Sequence, residues 1–269
     1  MCQRGQPRRK GKTIFQFSVL ASGSKGNAVY IESEQARILI DIGIGPRVLQ
    51  KRLAHIQRKP EDVSAVFLTH EHSDHISGAG ALTKKHGTPV YGTRGTREAM
   101  RHHVHPGVDW RTIQQEDGTV VGDLTVESFA TPHDAAESVA YVVRCGSKKL
   151  GHITDLGKVT PGIVEKLQNC DTLLVESNHD ERMLVDGFYP WPIKQRIQSD
   201  VGHLSNEACA NLLRQVKHDA LKTVVLMHLS ESNNHPEIAM DSARRVLGNH
   251  PATLFPARQS SPSVLIPVE

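Results

Sequence analysis

The largely apolar run VSAVFLT at 63–69 leads straight into HEHSDH at 70–75, which packs four potential metal ligands into six positions. The run reads as a buried strand ending at His70, and imidazoles and a carboxylate at the end of a buried strand require a fold that opens a polar edge there. In an extended or tightly turning loop, side chains at i and i+2 project to one side. That spacing lets His70 and His72 chelate one ion while Asp74 and His75 face a second. Histidine is the compositional outlier, with 16 copies. The four cysteines, Cys2, Cys145, Cys170 and Cys209, are scattered without a CxxC pair. Imidazole and carboxylate donors without thiolate suit Zn²⁺, Mn²⁺ or Fe²⁺ in an open site rather than a closed structural one.

Three more residues repeat the pattern of an apolar run, a lone ligand and a turn: His133 in FATPHD, Asp155 in GHITDLG and His228 in VVLMHLS. A strand-terminal histidine alone is more often a hydrogen-bonded structural residue; together with HEHSDH the set points to a binuclear centre. The expected arrangement has His70, His72 and His133 on one ion, Asp74, His75 and His228 on the other, and Asp155 bridging.

The remaining chain reads as an α/β protein. TIFQFSVL, AVYIES and RILID form a β-meander at a sheet edge. Pro46–His55 has helical periodicity in Val48, Leu49, Leu53 and Ile56, and helices are predicted over 76–86 and 93–103 around the short strand VYG. A second β-rich block, 119–155, is followed by the strand LLVES, helices in WPIKQRIQ and SNEACANLLRQVK with Ser205 as cap, the strand TVVLMH and the helix PEIAMDSARRVLG. Two similar halves of this kind make a four-layer αββα sandwich, with 13–269 as one domain. Residues 1–12 lack apolar periodicity, carry Arg4, Arg8, Arg9, Lys10 and Lys12, and read as a disordered basic tail. With 38% hydrophobic and 23% charged residues, the composition excludes collagenous, disordered and disulfide-scaffold classes. The absence of a long apolar run or an apolar leader predicts a cytoplasmic protein without a membrane partner. Nothing in the sequence addresses oligomeric state.

HxHxDH followed by spaced His133, Asp155 and His228 resembles the metallo-β-lactamase fold, laid over about 13–258. LASGSKGN at 20–27, ESNHD at 176–180, YPWPIKQRI at 189–197, GHLSNEAC at 202–209 and HLSESNN at 228–234 are similar to the YycJ/WalJ subfamily, related to the ribonuclease Z branch. The resemblance implies a phosphodiesterase with two divalent metal ions per chain, and for that subfamily a DNA exonuclease of 5′→3′ polarity with a role in DNA repair. Asp155 and His228 are 73 residues apart, too close for an inserted cap domain of the large RNA-processing nucleases, and 155–202 has no long basic insertion. Two rivals share the motifs: a small-molecule hydrolase of the same fold, acting on a cyclic phosphodiester or thioester, and a non-catalytic metal- or DNA-binding regulator.

Roles follow by chemistry. Two metals activate a water for in-line attack on the phosphate, with Asp74 orienting it. His203, where the ribonuclease Z resemblance places a functional histidine, is the candidate acid, oriented by Glu176 or Asp180. Ser24, Lys25 and Asn27 of SGSKGN form either a phosphate-gripping loop or a hairpin turn, and Asn178 and Asn234 are further candidates for substrate contact. A basic groove with Lys25, Lys194 and Arg196 reaching the metals would favour nucleic acid, DNA first, whereas an enclosed apolar pocket would favour a small substrate. His102, His103 and His105 read as a solvated surface or DNA-facing cluster, His152 as a residue that packs or supports a ligand from behind, and Tyr189 and Trp191 as core aromatics or a stacking platform.

Overall fold

The computed structural model describes residues 14–100, 107–114 and 118–269. The expected basic tail and His102, His103 and His105 lie outside them.

Six strands follow one another across the first sheet: β1 (Phe15–Ala21), β2 (Ala28–Ser33), β3 (Arg37–Ile40), β4 (Ala65–Phe67), β5 (Val90–Gly92) and β6 (Trp110–Thr112). β1 to β3 form the antiparallel meander, and β3 to β6 run parallel. The second sheet is built in the same sense from β7 (Gly118–Val121), β8 (Leu124–Ala130), β9 (Val139–Cys145), β10 (Lys148–Ile153), β11 (Thr172–Glu176), β12 (Thr223–Met227) and β13 (Thr253–Pro256). It is antiparallel from β7 to β10 and parallel from β10 to β13. The opening is not an edge: β14 (Ile266–Pro267), which has no alternating signal of its own, pairs outside β1.

The layering follows from which faces are apolar. β4, β11 and β12 are buried at every position, as strands covered on both faces must be. One core lies between the sheets and includes Phe17, Ile31, Ile38, Val126, Tyr141, Leu174 and Val225. A second packs the first sheet against α1 (Pro46–His55), α2 (Ser73–Ile76) and α3 (Ala79–His86), through Leu49, Leu53, Ile76 and Leu82. A third packs the second sheet against α5 (Pro161–Leu167), α8 (Asn206–Val216) and α9 (Pro236–Leu247). Three cores between four layers make the αββα sandwich. α4 (Arg94–Ala99), α6 (Glu181–Asp186) and α7 (Trp191–Gln198) complete the helices used below.

Two local expectations change. Val48 is 40% exposed while Leu49 and Leu53 are buried, so the apolar stripe of α1 is narrower than its sequence. The helix expected over 76–86 is broken into α2 and α3 because the Gly78 N–H donates to the Ile42 carbonyl, 2.7 Å away, rather than along a helix. The break ties HEHSDH to the loop after β3. A bond between the sheets does the same from the other side: Tyr141 Oη donates to the Leu68 carbonyl at 2.5 Å, two residues before His70.

Candidate metal centre

The C-terminal ends of the parallel strands in both sheets converge, where α/β sheets place their ligand crevices. Asp41 follows β3, Thr69 and His70 follow β4, Asp155 follows β10, Glu176 ends β11 and His228 follows β12. Asp41, Asp155 and His228 adopt left-handed backbone, with φ of 59°, 59° and 54°. A non-glycine residue there costs on the order of 1 kcal/mol and is held only when its surroundings over-determine it. Here each turn redirects a strand-end side chain into the crevice. The HEHSDH loop is laced to its neighbours by backbone bonds from Asn27 N to the Asp74 carbonyl (2.7 Å) and from Ile42 N to the His75 carbonyl (2.8 Å). Gly43 is required beside it, since a Cβ there would stand 1.5 Å from the Asp74 carbonyl oxygen.

All seven residues expected from the sequence come together. Ligand atoms of His70, His72 and His133 lie within 4.8 Å of one another, as do those of Asp74, His75 and His228, and Asp155 joins His70 and His75. His72 Nδ1 and His133 Nε2 face each other at 3.3 Å, and Asp155 Oδ2 is 3.2 Å from His75 Nε2. On four of the five rings the other nitrogen is occupied. His70 Nδ1 meets Thr69 Oγ1 (3.0 Å), His75 Nδ1 meets Asp41 Oδ2 (2.8 Å), His133 Nδ1 meets the Gly202 carbonyl (3.1 Å), and His228 Nδ1 meets Asp155 Oδ1 (3.0 Å). Such contacts orient the rings and select which nitrogen faces the crevice.

Three inward atoms test whether metal fits. His70 Nε2, His228 Nε2 and Asp155 Oδ2 are buried without a directed hydrogen bond, a costly state for polar atoms unless a cation takes their lone pairs. Glu176 also approaches, within ligand distance of Asp155, His203 and His228. Its valences are already used: Oε1 meets His203 Nδ1 (2.9 Å) and His228 Nδ1 (3.2 Å), and Oε2 accepts from Leu156 N (3.0 Å) and Leu204 N (3.1 Å). Glu176 is therefore an anchor behind the ligand set.

The electrostatics are those of a site built for cations. Burial disfavours charge on His228, but Asp155 and Glu176 outweigh it and hold the imidazole at about 10. Burial works likewise on His75, where Asp155 and Asp41 prevail and raise it well above its ordinary value. Burial would raise Asp155, yet His228 and His75 hold it well below the carboxylate range, and His203 and His228 hold Glu176 at about 2 against the same penalty. His70 moves the other way: burial, then His75, push it well below a usual histidine. Protons on His75 and His228 occupy places that divalent ions would take.

His203 is 20% exposed on its side chain and is oriented by Glu176, not by Asp180, whose carboxylate caps α6 by accepting from Met183 N at 2.9 Å. The other tentative contacts are redistributed. Asn27 is buried, and its amide lies 3.3 Å from Asp74 Oδ2 and 3.1 Å from His75 Nε2, so it supports the loop rather than meeting solvent. Asn178 donates to the His228 carbonyl (2.9 Å), and Asn234 donates to the Ser177 and Asn178 carbonyls (2.9 and 3.0 Å); both amides are buried and spent on the chain. Ser24 and Lys25 are exposed, with Lys25 Nζ on Glu231 at 2.5 Å. Arg196 reaches the rim through Asp134 (2.5 Å), next to His133. Lys194 does not: it is buried, with Nζ donating to the Val185 and Gly187 carbonyls. His152 is buried on β10. Trp191 is exposed and Tyr189 half-buried, so neither is a core aromatic.

Asp41 is the residue the sequence reading passes over. Its Oδ1 accepts from Thr69 N (2.8 Å) and its Oδ2 from Thr69 Oγ1 (2.9 Å) while facing His75. The signal was present: RILIDIG repeats the strand, Asp, apolar residue and Gly of GHITDLG.

Residues 36–229 match the β-lactamase superfamily domain. Exodeoxyribonuclease YycJ of Bacillus anthracis is 41% identical over 233 residues, 86% of this chain and 88% of that protein. Exodeoxyribonuclease WalJ of Streptococcus pneumoniae is 39% identical over 229 residues, 84% and 85% of the two chains. Among solved structures, the metallo-β-lactamase fold protein YhfI from Bacillus subtilis superposes with a TM-score of 0.73 at 20% identity, covering 94% of this chain and 99% of YhfI. At that identity the likeness bears on the fold alone.

Proposed function

The chain belongs to the β-lactamase superfamily, whose fold is that of a metal-dependent hydrolase, and from that premise we propose that it is a binuclear phosphodiesterase acting on DNA as a 5′→3′ exonuclease, with DNA repair as its setting. The observation that carries the metal half is the gathering of His70, His72 and His133 and of Asp74, His75 and His228, with Asp155 beside His70 and His75, where His70 Nε2, His228 Nε2 and Asp155 Oδ2 are buried without directed hydrogen bonds. His70, His72 and His133 would hold one ion, Asp74, His75 and His228 the other, and Asp155 would reach both. Divalent ions bound there supply Lewis acidity, neutralising a phosphate's charge and making water acidic near neutral pH. The donor set suits Zn²⁺, Mn²⁺ or Fe²⁺.

The chain's own groups divide the rest of the work. Asp74, with 22% of its side chain exposed, accepts a hydrogen bond from the attacking water and orients it. His203 gives a proton to the leaving 3′-oxygen. Burial disfavours its charged form, but Glu176 outweighs burial and raises it above an ordinary histidine, a shift in the direction a proton donor needs. The expected basic groove is not formed at the rim, where Lys25 is paired with Glu231 and Arg196 with Asp134, so the choice of substrate rests on the relatives. Exodeoxyribonuclease relatives at 39–41% identity support DNA as the polymer.

The test loads the protein with Mn²⁺ and Zn²⁺ separately and offers end-labelled duplex DNA, single-stranded DNA, RNA, a small phosphodiester and a thioester. Stepwise loss from the 5′ end of DNA, abolished by Asp74→Ala while most DNA affinity remains, is the expected result. Turnover of the small esters alone would move the function to a small-molecule hydrolase, and DNA binding without turnover would move it to a regulator.

A further inference from the structure

All twelve aromatic residues of the chain fall within the described residues, and only two of them, Phe188 and Trp191, are exposed. They stand three positions apart in the turn from α6 to α7, at 79% and 59% exposure, with Ile193 and Val185 exposed beside them. Leaving two large rings in water forgoes the burial that stabilises aromatic side chains elsewhere in the chain. The backbone that displays them is stiff. Pro190 and Pro192 fix φ on either side of Trp191. The buried Lys194 ammonium ties down the Val185 and Gly187 carbonyls, both at 2.6 Å. A Cβ on Gly187 would stand 2.7 Å from Asn233 Oδ1, so the turn is seated against the loop after β12. Phe188 is braced edge-on by Tyr189, with centroids 4.9 Å apart.

The same helix ends at the metal centre. Arg196, at its C-terminal end, pairs with Asp134, whose Oδ1 is 3.3 Å from His133 Nε2, and the Ile197 carbonyl accepts from His203 N at 2.9 Å. From Trp191 to Arg196 the axis advances about 8 Å. The exposed rings and Arg196 therefore stand at the two ends of one short helix, within the span of a few nucleotides. We propose that Phe188 and Trp191 form a stacking platform for the bases of a single strand threading into the site, with Arg196 meeting its phosphates. In a duplex the base faces are covered by their neighbours; an unstacked strand offers them to aromatic rings whatever the sequence. The proposal rests on the phosphodiesterase reading and adds to it that the site takes single-stranded or frayed ends.

Trp191 is its own probe, since Trp110 is the only other tryptophan. Mixing metal-loaded protein with a phosphorothioate oligothymidylate should quench fluorescence in the wild type and leave Trp191→Phe, which reports Trp110 alone, nearly unchanged. In kinetics, Phe188→Ala with Trp191→Ala should raise KM for single-stranded oligonucleotide about tenfold or more with kcat nearly constant, and Trp191→Phe should restore most of the loss. The oligonucleotide effect should exceed that on bis(4-nitrophenyl) phosphate by a similar factor. Unquenched Trp191 with unchanged KM would overturn the platform. So would quenching that follows protein concentration instead of DNA, since the patch would then be covered by a second copy. If no phosphodiester is hydrolysed at all, the function reading fails, while the fluorescence arm still reports on the platform.

Discussion

Asp41 shows how much of the candidate metal site lies behind its candidate ligands. Its carboxylate fixes Thr69, and through Nδ1 it fixes His75, so that Nε2 faces the crevice. Removing such a partner leaves the ligand present but free to turn, and costs on the order of 10- to 100-fold in metal affinity or activity. Asp41→Ala should therefore lower both the metal retained after dialysis and the rate of phosphodiester hydrolysis by about that factor; an unchanged metal content would remove Asp41 from the site. HEHSDH, His133, Asp155 and His228 were legible because ligand chemistry is written in residue type and in position at strand ends. The supporting contacts were legible only in part. Glu176 ends β11 and Asp180 follows it by four residues, and only the tertiary structure shows that one orients His203 while the other caps a helix. Asn178 and Asn234 lie in loops around the site, yet their amides bind backbone, a choice that residue type does not encode.

At the scale of elements, helix ends set the position of His203. Ser205 caps α8, its Oγ accepting from Ala208 N at 3.2 Å, and it also contacts Glu181 at 3.0 Å. Ser205→Ala should cost about 1 kcal/mol in denaturant unfolding. It should also lower the hydrolytic rate slightly, through looser placement of His203 two residues before the cap. A rate change without a stability change would point instead to a direct role for the hydroxyl. α8 and α9 were legible because their apolar residues recur at helical spacing against one sheet face. The predicted helix over 76–86 was not, because its break depends on the Ile42 carbonyl, which tertiary packing brings to Gly78. β14 is two residues long and pairs with the first strand of the chain, a long-range contact without periodic signal.

Across the whole molecule, two similar halves each bring a strand-end aspartate in left-handed backbone to one crevice, Asp41 from the first sheet and Asp155 from the second. Without metal, the buried charges there make stability depend on pH from both sides. His228 is held at about 10, above its ordinary 6.5, so its contribution is whole below 6.5 and is lost as pH rises through 10. Glu176 is held at about 2, below its ordinary 4.5, so its contribution is whole above 4.5 and is lost as pH falls through 2. The metal-free protein should be most stable between those ordinary values. The rise in Tm on adding metal should grow with pH above them, because ions replace the protons on His75 and His228. A rise in Tm independent of pH would mean that the ions bind elsewhere. The central claim, that seven side chains from both halves form one two-metal hydrolytic centre, is tested most directly by titrating Mn²⁺ into the metal-free protein while following DNA hydrolysis. Activity should appear cooperatively, be complete at two equivalents per chain and be absent throughout in Asp155→Ala. Full activity at one equivalent, or activity that survives the loss of Asp155, would contradict it.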